Sequence, residues 1–170
     1  TKNINNALKI STIFDSVGSY FNAYTDKNLT CYTVKCESSH FNLCFHTLCD
    51  LLINSIFDKE EFEKEKQVVL EEMHITFDNP ELLLNEEIYK IMYDGCTLSH
   101  DIAGTKQSIL NFDYDEFINY FKHFYYPSNI TISIISDLKL QYIEHQILNS
   151  FIMSSNIKKI DNGYNPKWEY

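Results

Sequence analysis

The chain of 170 residues has the length of one domain. Hydrophobic residues make up 44% of it, which provides a core and excludes wholesale disorder. No apolar run approaches the ~18 residues of a membrane span. All 14 basic residues are lysine and the net charge is −10, a balance that disfavours nucleic acid and favours cationic partners such as basic peptides. Simple solubility explains the same charge equally well.

Periodicity and turn signals predict the elements in chain order. Gly18 ends a first helix, residues 26–28 form a hairpin turn, Pro80 opens a new helix and residues 94–105 form a loop. Helices predominate, so the predicted class is α+β. The predicted helices are 5–17, 41–57, 59–78, 80–93, 106–111, 113–125 and 138–151, and the predicted strands are 20–25, 29–36 and 130–135.

The five cysteines have spacings that place no two of them on a common face of one element. Reduced, buried thiols in an intracellular compartment, either cytoplasm or an organelle matrix, are therefore favoured over disulfides. The chain begins at Thr1 with no signal region. We expect it to be part of a longer protein.

Two carboxylates in the predicted helix 59–78 stand out. At 100° per residue, Glu65 and Glu72 lie within 20° of each other, in the middle of the apolar stripe formed by residues such as Val69 and Met73. Carboxylates that point at a core need a compensating partner. From periodicity alone, a salt bridge or a helix-cap contact is a commoner explanation than a metal ligand.

A second candidate metal site is weaker. The run from Gln141 to His145 imitates a metal-binding H-x-x-E-H helix, but glutamine stands where the first histidine is required. The adjacent Glu144 and His145 cannot form a ligand pair four residues apart. We interpret this run as a chance likeness.

Five motifs in chain order carry a family resemblance: 22–25 (N-A-Y-T), 63–72 (E-K-E-K-Q-V-V-L-E-E), 78–80 (D-N-P), 98–105 (L-S-H-D-I-A-G-T) and 125–129 (Y-Y-P-S-N). Together they resemble the pitrilysin family of inverted-zincin metallopeptidases, which includes insulin-degrading enzyme and mitochondrial processing peptidase. The chain departs from the family's H-P-L-G-R-P segment, where it has Cys96-Thr-Leu-Ser-His100-Asp.

The resemblance implies an antiparallel sheet packed by helices, a metallopeptidase half-domain of the mitochondrial processing peptidase type. It implies zinc held by two histidines of H-x-x-E-H and by a later glutamate, which corresponds to Glu72. Glu65 corresponds to a carboxylate that supports the catalytic site beside the ligand. Asn22, Ala23 and Tyr24 correspond to the edge strand that binds substrate. The H-x-x-E-H, with its general-base glutamate, is absent from this chain and is expected immediately upstream of Thr1.

These implications define the expected domains and function. Residues 1–153 would be a partial N-terminal peptidase domain without its first strands and H-x-x-E-H helix, and 154–170 a linker to a second domain. The parent would be a zinc endopeptidase acting on extended or unfolded peptides, with basic peptides favoured, and this chain alone would be inactive. A non-catalytic peptide-binding or scaffold subunit and an acidic α+β interaction module remain the alternatives. Neither nucleic acid nor a membrane span is expected, and a dimer stays open.

Overall fold

The structure, a computed structural model, describes residues 1–4 and 7–152. The chain is mostly helical with one small antiparallel sheet, which confirms the α+β class. The predicted linker 154–170 lies outside the described residues. The elements are α1 (Ala7–Ser16), β1 (Tyr20–Thr25), β2 (Thr30–Lys35), α2 (Phe41–Ile53), α3 (Lys59–Asp78), α4 (Pro80–Met92), α5 (Lys106–Asn111), α6 (Tyr114–Phe124) and α7 (Leu140–Ile152).

The β1–β2 hairpin follows α1 through a glycine turn. Gly18 has a φ of 60° and donates its N–H to the Asp15 carbonyl, so the residue predicted to end the helix does so in the left-handed conformation that glycine favours. The two strands then pair in one register, from Tyr20 opposite Lys35 to Thr25 opposite Thr30. The turn closes with the Asp26 N–H bonded to the Leu29 carbonyl at 2.8 Å.

Capping residues fix both ends of α3. Asp58 accepts hydrogen bonds from the backbone N–H groups of Glu60 (2.8 Å) and Glu61 (3.1 Å). At the other end, Asn79 is the C-cap of α3 and the N-cap of α4, and Pro80 opens α4. The predicted break at this position is therefore confirmed.

The prediction of a third strand at 130–135 is wrong for the structure described here. This segment belongs to no sheet, and the only sheet among the described residues is the β1–β2 hairpin. A strand exists only where a neighbour supplies its hydrogen bonds, and none of the described residues supplies them to this segment. Ile135 is fully exposed.

One small core lies between α1, α2 and the hairpin. Phe14 and Cys44 are 2% exposed, and Phe14 stacks on Phe21 of β1 with 4.7 Å between ring centroids. Around α3 and α6, an aromatic cluster centres on Phe57, Phe62 and Phe117. Of the helices described, none combines the length and apolarity that crossing a bilayer requires.

Candidate functional site

Glu65 and Glu72 lie on the same side of α3, two helical turns apart, which is about 10 Å along the axis. Both residues are exposed. This differs from the expectation that they point into a core. Helix α3 is only partly covered, and the carboxylates lie on the uncovered part.

The covered face of α3 is rotated away from the carboxylates. Phe62, Lys66 and Val69 are half-buried and Met73 is buried; on a helical wheel this group centres about 70° from Glu65. On the opposite flank, Val68 is 43% and Ile75 is 67% exposed. The apolar stripe seen in the sequence is thus wider than the face that packs. We refer to Glu65, Val68, Glu72 and Ile75 as the α3 strip.

The alternative of a salt bridge is not realised at these two positions. Nearby lysines on α3 pair with other glutamates: Lys64 with Glu61 at 2.5 Å and Lys66 with Glu63 at 3.3 Å. Within the part of the chain that the structure describes, the carboxylates of Glu65 and Glu72 form neither an ion pair nor a hydrogen bond. Both are therefore free to accept a cation.

A complete metal site is not present among residues 1–4 and 7–152, where no three histidine, cysteine, aspartate or glutamate side chains come together. His74 is two residues from Glu72 and points about 160° away on the same helix. A zinc site takes at least three protein ligands. The α3 strip fits one part of such a site, since Glu72 offers an exposed, unpaired carboxylate of the kind zinc binds.

The H-x-x-E-H-like run lies on α7, which packs mainly against a helix other than α3. Helix α7 packs against α2. The His145 ring lies 3.2 Å, at Nδ1, from the Asn149 side-chain nitrogen on its own helix. The structure thus brings neither Glu144 nor His145 to the candidate carboxylates.

Strand β1 offers one unpaired edge. Asp26 and Leu29 form a hydrogen-bonded pair, and such pairs alternate along an antiparallel ladder. The backbone N–H and C=O groups of Asn22 and Tyr24 therefore point towards β2, and those of Ala23 point away from it. Accordingly, the Ala23 N–H donates to the Asn22 side-chain oxygen at 2.8 Å and not to a strand. No other strand among the described residues pairs with this edge.

Asn22, Ala23 and Tyr24 are all exposed. A hydrogen bond with Cys31 of β2 raises the pKa of Tyr24 above its ordinary value. The predicted substrate-binding residues thus share an accessible edge whose outward groups are uncharged. Such an edge can add an extended peptide as a further strand.

Comparison with known sequences decides the family. The sequence profile of the insulinase family, peptidase family M16, matches residues 1–106. The chain belongs to this family. The resemblance to the insulin-degrading enzyme group is thereby confirmed.

Two bacterial relatives of the chain bear names of proteases. The chain is 32% identical over 138 residues to YmxG of Bacillus subtilis, named an uncharacterized zinc protease, covering 81% of this chain and 34% of that protein. It is 34% identical over 132 residues to an uncharacterized zinc protease of Rickettsia bellii, covering 78% of this chain and 32% of the relative. The chain thus spans about a third of the length of these relatives.

Solved structures share the fold. An M16-like peptidase of Alicyclobacillus acidocaldarius superposes with a TM-score of 0.75 at 24% identity, over 86% of this chain and 34% of the other. A protease of Helicobacter pylori superposes with a TM-score of 0.79 at 20% identity, over 84% and 35%. The predicted M16-type architecture, an antiparallel sheet packed by helices, is confirmed.

One feature of this M16 chain that sequence reasoning missed is a carboxylate that holds the first residues. Asp50 of α2 is 8% exposed and accepts hydrogen bonds from the side chains of Thr1 and Asn3, and from Asn54 at 2.9 Å. The Lys2 N–H also donates to the Asn54 carbonyl at 2.9 Å. The only local signal was a charged residue within the densely apolar run 41–57.

Proposed function

We propose that this chain is the major part of the N-terminal, catalytic-type domain of a zinc-dependent endopeptidase that cleaves extended or unfolded peptides. The M16 family and the names of its relatives support a protease. We assign the role of zinc ligand to Glu72 because its carboxylate is exposed, unpaired among the described residues and part of the α3 strip.

Glu72 supplies one zinc ligand in this proposal, and the two histidines and the general-base glutamate come from an H-x-x-E-H segment that precedes residue 1 in the parent. Bound there, zinc would lower the pKa of a coordinated water and so supply the nucleophile that peptide hydrolysis requires. Glu65, two turns before Glu72 on α3, adds negative charge beside the ligand set. That charge would favour the cation, and a hydrogen bond from a ligating histidine to the Glu65 carboxylate would hold the orientation of the ring.

The apolar members of the α3 strip support the same arrangement. Val68 and Ile75 lie exposed on the flank of the two carboxylates. A helix packed against α3 from this side would bury these two side chains and bring its own ligands to Glu72. Covering about 100 Å² of apolar surface contributes roughly 2.5 kcal/mol, enough to help seat such a helix.

The free edge of β1 orients the substrate. An extended peptide that pairs with this edge bonds the outward N–H and C=O of Ala23, and its side chains pass alternately to the two faces of the sheet. Main-chain bonds of this kind accept many sequences but only extended or unfolded segments. The neighbouring residues Asn22 and Tyr24 flank the point of attachment.

The proposal is tested by replacing Glu72 in the full-length parent. Glu72→Gln keeps the volume but removes the charge that zinc requires, so we expect loss of bound zinc and of peptide hydrolysis while the fold is retained. Glu71→Gln is the matched control, since Glu71 is also exposed but points about 100° away from Glu72. Zinc is measured by elemental analysis and hydrolysis with a quenched fluorescent peptide.

Each outcome has a distinct meaning. One zinc per chain in both variants would show that Glu72 is not a ligand. Zinc in the wild type without hydrolysis of any extended peptide would favour a non-catalytic subunit of the same architecture. Absence of zinc from the wild-type parent would favour the acidic interaction module.

A further inference from the structure

Lys27, at the tip of the β1–β2 hairpin, is almost completely buried although turn residues are normally exposed. Its side chain is 7% exposed. The ammonium group lies 2.6 Å from the Glu86 carboxylate and donates to the His100 carbonyl at 2.8 Å. It also lies 5.1 Å from the centre of the Tyr89 ring. Lys27 is therefore held by α4 and by the loop that follows it.

Helix α4 and the loop that contacts Lys27 are also joined to each other by a salt bridge. Lys90, one helical turn beyond Glu86 on α4, lies 3.3 Å from the carboxylate of Asp101. The loop at residues 100–101 is thus fixed to α4 by two lysines, one from α4 itself and one from the hairpin. A buried ammonium group is costly without such partners, so the three contacts specify where the hairpin tip lies.

The contacts of Lys27, which we call the Lys27 tie, connect the two parts of the proposed site, the β1 edge and the carboxylates of α3. The hairpin packs mainly against α1 and α2, whereas α3 packs mainly against α4 and α5. Lys27 crosses from the hairpin to α4, which is the direct neighbour of α3. The position of the β1 edge relative to Glu72 therefore depends on the contacts of Lys27.

We propose that Lys27 is a positioning residue that sets the register between a peptide bound on β1 and the carboxylates of α3. The inference rests on the proposed function of the β1 edge. Loss of the tie lets the hairpin tip move away from α4, so a bound peptide is held less firmly and presents more than one peptide bond for cleavage. Lys27 touches neither the peptide nor the metal in this arrangement.

The experiment uses three variants of the full-length parent. Lys27→Met keeps an unbranched side chain but removes the ammonium group, and Lys27→Arg retains the charge and the donors. Lys64→Met is the control, since Lys64 is 67% exposed and pairs with Glu61 on its own helix. Measurements are amide exchange of Asn22 and Tyr24, affinity of the zinc-free protein for an extended peptide, and the distribution of cleaved bonds.

For Lys27→Met we expect roughly tenfold faster exchange of the hairpin amides, roughly tenfold weaker peptide binding, which corresponds to 1.4 kcal/mol, and cleavage spread over neighbouring bonds. Lys27→Arg and Lys64→Met should both match the wild type in amide exchange, peptide affinity and cleavage pattern.

Unchanged amide exchange in Lys27→Met would overturn the tie. Faster exchange with unchanged affinity and cleavage pattern would overturn the positioning role and leave a purely structural one. If the wild-type parent binds no extended peptide, the proposed function of β1 has failed and the positioning role with it, whereas the exchange data still report on the tie.

Discussion

Replacing Ala23 by proline tests the outer edge of β1 without disturbing the edge that pairs with β2. The Ala23 N–H points away from β2 and donates to the Asn22 side chain, so proline leaves every bond between the strands in place. Proline is tolerated on the free side of an edge strand for the same reason. We therefore expect the hairpin to persist in Ala23→Pro while its outer edge loses a donor.

The size of the effect follows from what the donor does in the free protein. A net hydrogen bond contributes about 0.5–1.5 kcal/mol, and here a peptide must displace the Asn22 oxygen, which places the contribution near the lower limit. The proline ring adds a steric obstacle where the peptide carbonyl would approach. Together we expect about tenfold weaker peptide binding, which corresponds to ~1.4 kcal/mol.

The assay is fluorescence anisotropy with a labelled extended peptide and the full-length parent, alongside thermal unfolding. Ala23→Gly is the matched control because it retains the N–H, and Tyr24→Pro is the opposite control because it removes a donor that points towards β2. Equal affinity of Ala23→Pro and Ala23→Gly would refute the assignment of this edge to substrate. A large loss of stability in Ala23→Pro would show that the direction inferred for its N–H is wrong.

Two further predictions concern the carboxylate of Asp50 and the thiol of Cys36. Asp50→Ala should lower the free energy of unfolding by about 2–4 kcal/mol, because three side-chain donors lose a charged acceptor while the exposed Asn3 regains water. Urea unfolding measures this change. In the control Asp15→Ala, at an exposed position, the free energy of unfolding should stay within about 0.5 kcal/mol of the wild type. Burial and then a hydrogen bond with Cys44 raise the pKa of Cys36 to about 11, so its thiolate fraction at pH 8 is roughly one in a thousand. Iodoacetamide at pH 8 should therefore leave Cys36 largely unmodified, and its alkylation rate should rise about tenfold per pH unit up to about pH 11; mass spectrometry that finds a rate independent of pH would contradict this.

Elements with local signals could be predicted from the sequence. The break between α3 and α4 is specified by Asn79 and Pro80, because the asparagine side chain accepts from the backbone of Glu81 and the proline ring fits the first turn. The end of α1 is similarly specified by Gly18. In both places the deciding interaction lies within four residues along the chain.

Features that depend on distant partners could not be predicted in the same way. The alternation in 130–135 is typical of a strand, but strand pairing is decided by a neighbour elsewhere in the chain. The partner of Lys27 is 59 residues away and Asn3 is 47 residues from Asp50. Spacing rules for helices and turns carry no information about such pairs.

The helical wheel of α3 was correct in one respect and incomplete in another. It placed Glu65 and Glu72 on one side of the helix, as the structure does. It could not tell which part of a wide apolar stripe is covered by neighbours, because α4 and α5 contact the side that carries Met73. The sequence therefore identified the two carboxylates while mistaking their burial.

Metal binding in the proposed site is a property of several segments held in register, because three ligands must meet at one point and α3 contributes one of them. Two contacts of this chain would act on that register. Asp50 holds Thr1 and Asn3, close to where the proposed H-x-x-E-H segment would be joined, and Lys27 holds the hairpin whose edge would carry the peptide. Both contacts lie outside the α3 strip and neither residue would touch zinc. The geometry of the reaction would therefore depend on polar ties within the scaffold as much as on the ligands themselves, since a ligand displaced by 1 Å no longer completes a tetrahedral site.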